Sequence, residues 1–268
     1  MPQLKPFRGT QLNRTHPLAR GLVGCWLMNE NGGNKVYDLS GNKNHGTFVN
    51  NPLWIPGTSG PAIDFTNDAI NIGDAIYNAC IYNCTIVCKF LRRNLSTYGR
   101  LIDKYPGPSI YINPNTPYAV SFYGTIGEVS RTYAWTASSI IANIWYVVAV
   151  VLSPGHQRIY RNGVLAQAEL DNGPFTGVYS AGTGINAYIG NRTDMTRDIN
   201  GKIEYMYIYD RALSAAEIRW LYRGPFVMFA QPNSGRIAFY EGAPPGQTIL
   251  DYERSVRGVN RGVMVGAA

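Results

Sequence analysis

Hydrophobic and polar positions follow two periods along this chain, and the clearest change from one to the other lies in Ile199–Gly224, INGKIEYMYIYDRALSAAEIRWLYRG. Glu204, Met206 and Ile208 alternate with Ile203, Tyr205, Tyr207 and Tyr209. Aromatic and β-branched residues at a spacing of two predict a strand, and two apolar-capable faces predict a central one. Ser214 then stands three residues before Glu217, the spacing of a capping box, with Leu213 and Ile218 placed as a hydrophobic staple. Gly224 and Pro225 stop the segment, so a short helix over residues 214–223 follows the strand and ends a domain.

Elsewhere the period of two dominates. Gly21–Met28, Lys35–Leu39, Thr47–Val49, Cys84–Leu91, Leu101–Asp103, Ser109–Ile112 and Tyr118–Tyr123 read as strands, and Gly60–Ile72 as two short strands about a turn at Asn67-Asp68. Ile144–Leu152, IWYVVAVVL, is apolar throughout, which predicts a strand covered on both faces. Arg158–Ala166, RIYRNGVLA, predicts a hairpin, because Asn162-Gly163 is the strongest two-residue turn signal in the chain. Many short strands and a single convincing helix make the expected fold class all-β.

The ends depart from this pattern. Residues 1–20 contain Pro2, Pro6 and Pro17 without periodicity and read as an extended arm or a strand added late. Residues 224–268 hold Pro225, Pro232, Pro244 and Pro245 beside Phe226, Met228, Phe229 and Phe239. So many apolar side chains do not suit a solvated linker, and this second arm is expected to pack on its own body or on a neighbour.

Composition changes the picture in three places. A chain of 268 residues with 45% hydrophobic and 15% charged residues can build a sizeable core, as one large β domain or two small ones. No apolar run of about 18 residues occurs, so no membrane span is expected, and the basic N-terminus lacks the apolar segment of a signal peptide. Of the net charge of +7, four units come from Lys5, Arg8, Arg14 and Arg20 in a stretch with no acid. The body carries no basic stripe interleaved with aromatics, which argues against nucleic-acid binding. Cys25, Cys84 and Cys88, with Cys80, lack metal-ligand spacing and are expected as buried thiols.

The pieces Leu22-Val-Gly-Cys-Trp26, Asn29-Glu30, Tyr37-Asp38-Leu-Ser-Gly41-Asn-Lys-Asn44-His-Gly46, Arg161-Asn-Gly-Val-Leu165 and the closing GKIEYMYIYDRALSAAEIRWLY at 201–222 stand in a telling order. Together they resemble the laminin-G-like, concanavalin A-like jelly-roll domains over about residues 21–223. The resemblance implies an antiparallel jelly-roll sandwich flanked by the two arms. It also implies one structural calcium ion, with Asp38, Asn42, Asn44 and Glu204 at the matching positions and Glu30 as a further ligand. The chain departs from the family in having Glu204-Tyr205 where Asp, often followed by Glu, is usual. Hard cations take six to eight oxygens; the alternative for Asp38 and the asparagines is that they cap a turn.

No enzyme is expected. The Glu-x-Asp-x-x-Glu run of jelly-roll glucanases is missing, and His16, His45 and His156 lie in arms or loops without a nucleophile elbow. Carbohydrate binding is the family's commonest activity, and Tyr98, Tyr105, Tyr133 and Trp135, in turn-rich segments, are the aromatics placed to stack on sugars. The stretches Arg14–Trp26 and Arg211–Phe226 further resemble proteins of tailed bacteriophages. That implies assembly in host cytoplasm, a place on the virion surface, a shell or tail protein as partner, and homo-oligomers formed through the arms. A glycan-binding adhesion module is the alternative.

Overall fold

A computed structural model describes residues 3–76, 83–104, 109–114, 119–126, 129–134, 140–153, 156–168 and 184–229. In chain order the strands among these residues are β1 (Leu22–Trp26), β2 (Lys35–Val36), β3 (Gly46–Val49), β4 (Leu53–Pro56), β5 (Pro61–Phe65), β6 (Ala69–Gly73), β7 (Cys84–Arg92) and β8 (Gly99–Asp103). They continue with β9 (Ser109–Asn113), β10 (Ala119–Ile126), β11 (Val129–Ala134), β12 (Trp145–Ser153), β13 (His156–Arg161), β14 (Val164–Ala168), β15 (Ala187–Ile189) and β16 (Gly201–Tyr209). One α-helix, α1 (Ala215–Arg223), follows β16. No helix among the described residues is long and apolar enough to cross a membrane.

The strands form two eight-stranded antiparallel sheets, a jelly-roll sandwich. The first runs β14-β13-β12-β7-β16-β5-β4, with β1 also on β16; the second runs β11-β10-β9-β8-β15-β6-β3-β2. The turn at Asn67, whose φ is +61°, does not close a hairpin: it carries the chain from β5 in the first sheet to β6 in the second. Asn162 (φ +50°) and Gly163 (φ +76°) do close one, between β13 and β14, with both central residues left-handed as a type I′ turn requires.

The central strand is β16. One edge pairs with β7 along its length, and the other is shared, Gly201–Ile203 with β5 and Met206–Tyr209 with β1. The alternation read from the sequence needs one correction. The register slips between Ile203 and Tyr205, so Ile203 joins Met206 and Ile208 in the core between the sheets, while Tyr205, Tyr207 and Tyr209 face a second core. Strand β12 divides in the same way: Tyr146, Val148, Val150 and Leu152 face inward, Ala149 and Val151 outward.

The second core exists because the outer face of the first sheet is roofed. Ile218 and Leu221 of α1 lie on it with Leu18, Leu213, Phe226, Met228 and Phe229, all at most 3% exposed. The capping box is formed, Ser214 Oγ accepting from Glu217 N and Glu217 accepting from Ser214 N. Gly224 ends the helix at φ −139° rather than in the left-handed region. Leu12 bridges Phe229, Asn13 N donates to Met228 O at 2.8 Å, and Tyr207 Oη donates to Pro225 O at 2.9 Å. Residues 3–20 and 225–229 therefore lie along the body of their own chain; the remainder of the expected second arm, including Phe239, is outside the described residues. Each fully buried aromatic or aliphatic side chain in this roof stabilises it by roughly 1.5–3 kcal/mol.

Strands β4 and β11 were not expected. Leu53–Pro56 follows Pro52 and itself ends in a proline, and it is an edge strand, where a missing N–H is tolerated.

His16 gives the roof a pH response. It is 4% exposed, its Nδ1 accepts from Leu18 N at 3.1 Å, and its ring centroid is 4.9 Å from that of Trp220. Burial lowers its pKa from 6.5 to about 4. The unfolded chain therefore takes up this proton before the folded protein does. Stability is full above the unfolded pKa and falls as the pH drops through the window toward about 4, by up to about 3 kcal/mol. His16→Asn retains a capping acceptor but no titration, and the difference in melting temperature between it and the wild type should close as pH falls from 7 to about 4.5. A constant difference would sink this assignment.

Candidate functional site

The outer face of the second sheet brings together side chains that the sequence separates. Arg100 on β8 alternates with core residue Leu101 and points away from it. Its guanidinium lies 4.4 Å from the ring centroid of Tyr111 on the adjacent β9. Tyr98, just before β8, has its ring centroid 5.9 Å from that of Tyr111, and Arg197 lies 4.6 Å over Tyr98. The loop that carries Arg197 is fixed to β8 by Arg100 N donating to Arg197 O at 3.0 Å. Asn191 at its other end is fully buried, its Oδ1 accepting from Arg192 N and Arg197 N.

Several donors on this face are not used up. Arg100 Nε is 3.1 Å from Asp103 Oδ1, an ion pair without hydrogen-bond alignment, and Arg100 Nη1 is buried without a hydrogen-bond partner, as is Asn191 Nδ2. Burial lowers the pKa of Arg100, against the pull of Asp103, and a guanidinium remains charged. Buried donors without partners are costly, and here that cost lies directly behind the stacked rings and guanidinium groups. Of the aromatics expected to bind sugars, Tyr98 belongs to it. Tyr133 lies on β11, opposite Phe122 of β10; Tyr105 and Trp135 are outside the described residues.

Of the expected calcium ligands, Asp38, Asn42 and Asn44 lie together in one loop, while Glu204 has its own set of partners. Asp38 Oδ1 accepts from Cys25 N and Ser40 N, both at 2.9 Å, and Oδ2 accepts from Ser40 Oγ at 2.8 Å and Asn44 N at 3.0 Å. A carboxylate has about four lone-pair positions, and these donors fill them. Asn42 and Asn44 turn their Nδ2 groups to Val23 O, at 3.0 and 3.2 Å, and so act as donors that tie the loop to β1. Glu30 Oε1 accepts from Tyr37 N at 2.8 Å, and burial raises its pKa.

Glu204 is fully buried beside the register slip, paired with Lys89 Nζ at 2.9 Å and accepting from Thr58 Oγ1 at 2.9 Å and Ser59 N at 2.5 Å. Burial alone would raise its pKa, but the hydrogen bond and charge of Lys89, with Lys5, hold it below the ordinary carboxylate value. Lys5 of the N-terminal arm donates to Glu204 O at 2.6 Å, to Met28 O at 3.3 Å and to Pro61 O. Burial brings the Lys5 ammonium down to about 7. Among the described residues no group of three or more His, Cys, Asp or Glu side chains is placed to hold a metal ion. Asp38, Asn42, Asn44, Glu30 and Glu204 thus do not fit one calcium ion, because saturated hydrogen bonds and two lysines stand where the ion's ligands and charge would be.

The profile for Laminin G 3, described as the concanavalin A-like lectin/glucanases superfamily, matches residues 64–219. The chain belongs to this superfamily. Among solved structures, domain 4 of AbnA, an extracellular arabinanase from Geobacillus stearothermophilus, in complex with arabinotriose, superposes with a TM-score of 0.58 at 17% identity, over 75% of this chain and 97% of that domain. The receptor binding domain of botulinum neurotoxin mosaic serotype C/D gives 0.58 at 15% identity, over 77% and 51%. The binding domain of Paraclostridial Mosquitocidal Protein 1 gives 0.58 at 16%, over 78% and 53%. This chain spans about half the length of the toxin binding domains. No curated protein sequence matches it.

In this concanavalin A-like domain the arginines are what the sequence did not single out. Arg100 interrupts the strand GRLID at an outward position, a signal that was open to reading. Arg197 carried none, since only the folded 190–198 loop places it over Tyr98.

Proposed function

We propose that the domain is a non-enzymatic glycan-binding module whose contact surface is the outer face of the second sheet around Tyr98, Arg100, Tyr111 and Arg197. The observation that carries this reading is the cluster of half-buried Tyr98 and Arg197 with Arg100 and Tyr111, rings and guanidinium groups stacked on one face of the sheet. Sugars present that complement, apolar ring faces edged by hydroxyl oxygens. The arabinanase domain with bound arabinotriose, nearly the whole of which this chain covers, supports the reading. So do the toxin relatives, which are binding domains. Asp38 and Glu204 are each saturated by donors, so these two carboxylates are not offered as a pair to a glycosidic bond.

A glycan array followed by calorimetry on the best ligand tests this. Arg100→Ala and Tyr98→Ala should each weaken binding by roughly tenfold or more, with little change in melting temperature for Tyr98→Ala. A blank array, or affinity unchanged in both variants, removes the proposal.

Placement on a virion, in contact with a shell or tail protein, rests on the sequence resemblance alone. The N-terminal arm expected to reach a neighbour lies on its own body, which turns the order of the two readings toward glycan binding. Mass spectrometry of purified particles would test the virion assignment.

A further inference from the structure

The ammonium of Lys5 ends in a cage of backbone oxygens contributed by three distant segments: Met28 O at 3.3 Å after β1, Pro61 O at the start of β5, and Glu204 O at 2.6 Å in β16. Its backbone is held as well, Lys5 N donating to Ser59 O at 2.8 Å. The stem runs beside Gly60, where an added Cβ would come within 3.3 Å of Lys5 Cδ. Nearby, Glu30 is 7% exposed and its Oε2 is buried with no hydrogen-bond partner; its charge acts on the same ammonium. Lone pairs that converge from three segments, with an unpartnered carboxylate oxygen whose charge acts on the same ammonium, form an environment for a cation. A hydrophobic side chain there would leave the carbonyls unsatisfied.

We propose that Lys5 is a tethered cation that fills an oxygen-lined cation site. With the arm docked the domain needs no metal ion; with this ammonium removed, the same oxygens take a hard divalent cation such as calcium. The mismatch between the expected calcium ligands and the folded chain then has a cause: the charge is supplied by the chain itself, from a residue outside the body. Lys89 does the same for the Glu204 carboxylate at 2.9 Å. This inference is independent of glycan binding.

The test compares wild type, Lys5→Ala and Lys5→Met by thermal unfolding in EDTA and in millimolar CaCl2, with calorimetric titration of CaCl2. Lys5→Met retains the stem and loses only the charge, which covers the case in which Lys5→Ala does not fold. The wild type should melt at the same temperature in both buffers. Both variants should melt roughly 5–10 °C lower in EDTA and recover at least about half of that loss in CaCl2, with binding heat seen only for the variants. Glu30→Gln combined with Lys5→Met should weaken the recovery. A wild type that loses stability in EDTA, variants as stable as wild type, or variants that calcium does not rescue, including failure of both to fold in CaCl2, would each overturn the proposal.

Discussion

Trp26→Ala is expected to destabilise the domain by about 4 kcal/mol, within the range of buried Trp and Phe truncations. Trp26 is fully buried in the core between the sheets and opposes Met206 on β16. Its ring lies over Gly24, where an added Cβ would come within 2.7 Å of it. The indole Nε1 donates to Asn44 O at 2.9 Å, so the same side chain fills the core and pins the loop before β3. Trp26→Phe retains most of the volume and loses the donor, and should cost about half as much. Urea unfolding with a common m-value measures both. A Trp26→Ala loss below about 1.5 kcal/mol would mean that β1 is not packed on β16 as described.

The two substitutions divide what a sequence can and cannot convey. Features that depend on neighbours in the chain were legible: the capping box at Ser214 and Glu217, the Asn162-Gly163 turn, and the doubly covered strand β12. Each follows from local geometry or from the period of apolar residues. The face of Ile203 was not legible, because the slip beside Glu204 is set by β7, more than a hundred residues earlier. The candidate site shows the same division. Tyr98 could be singled out as an aromatic in a turn-rich segment, but its stacking with Arg197 arises only when the loop after β15 folds over β8. Lys5 in the arm read only as one of four basic charges in a stretch with no acid; it donates to an oxygen 199 residues away, and no local pattern reports such a contact. Composition set the arm's basic charge apart from the body, yet the Lys5 ammonium is bound by the body itself.

Asp38→Ala should cost about 4 kcal/mol, because it strips four donors of one acceptor group, Cys25 N and Ser40 N among them in buried surroundings. Asp38→Asn is the sharper experiment. An amide retains one carbonyl oxygen to accept from Cys25 N and Ser40 N. It turns an NH2 toward Ser40 Oγ, which can rotate to accept, and toward Asn44 N, which cannot. The expected loss is about 2 kcal/mol, one unmatched donor pair rather than four lost bonds. The resemblance of the Asp38–Asn44 loop to a calcium loop makes the opposite prediction: a metal ligand loses affinity when its charge is removed, and the variant's deficit would then exist only in calcium and vanish in EDTA. Urea unfolding of wild type and Asp38→Asn in the two buffers therefore separates the roles. A deficit equal in both makes Asp38 the acceptor that folds the loop onto β1. A deficit confined to calcium would make it a ligand, and would require at least one of its four present hydrogen bonds to be given up to the ion.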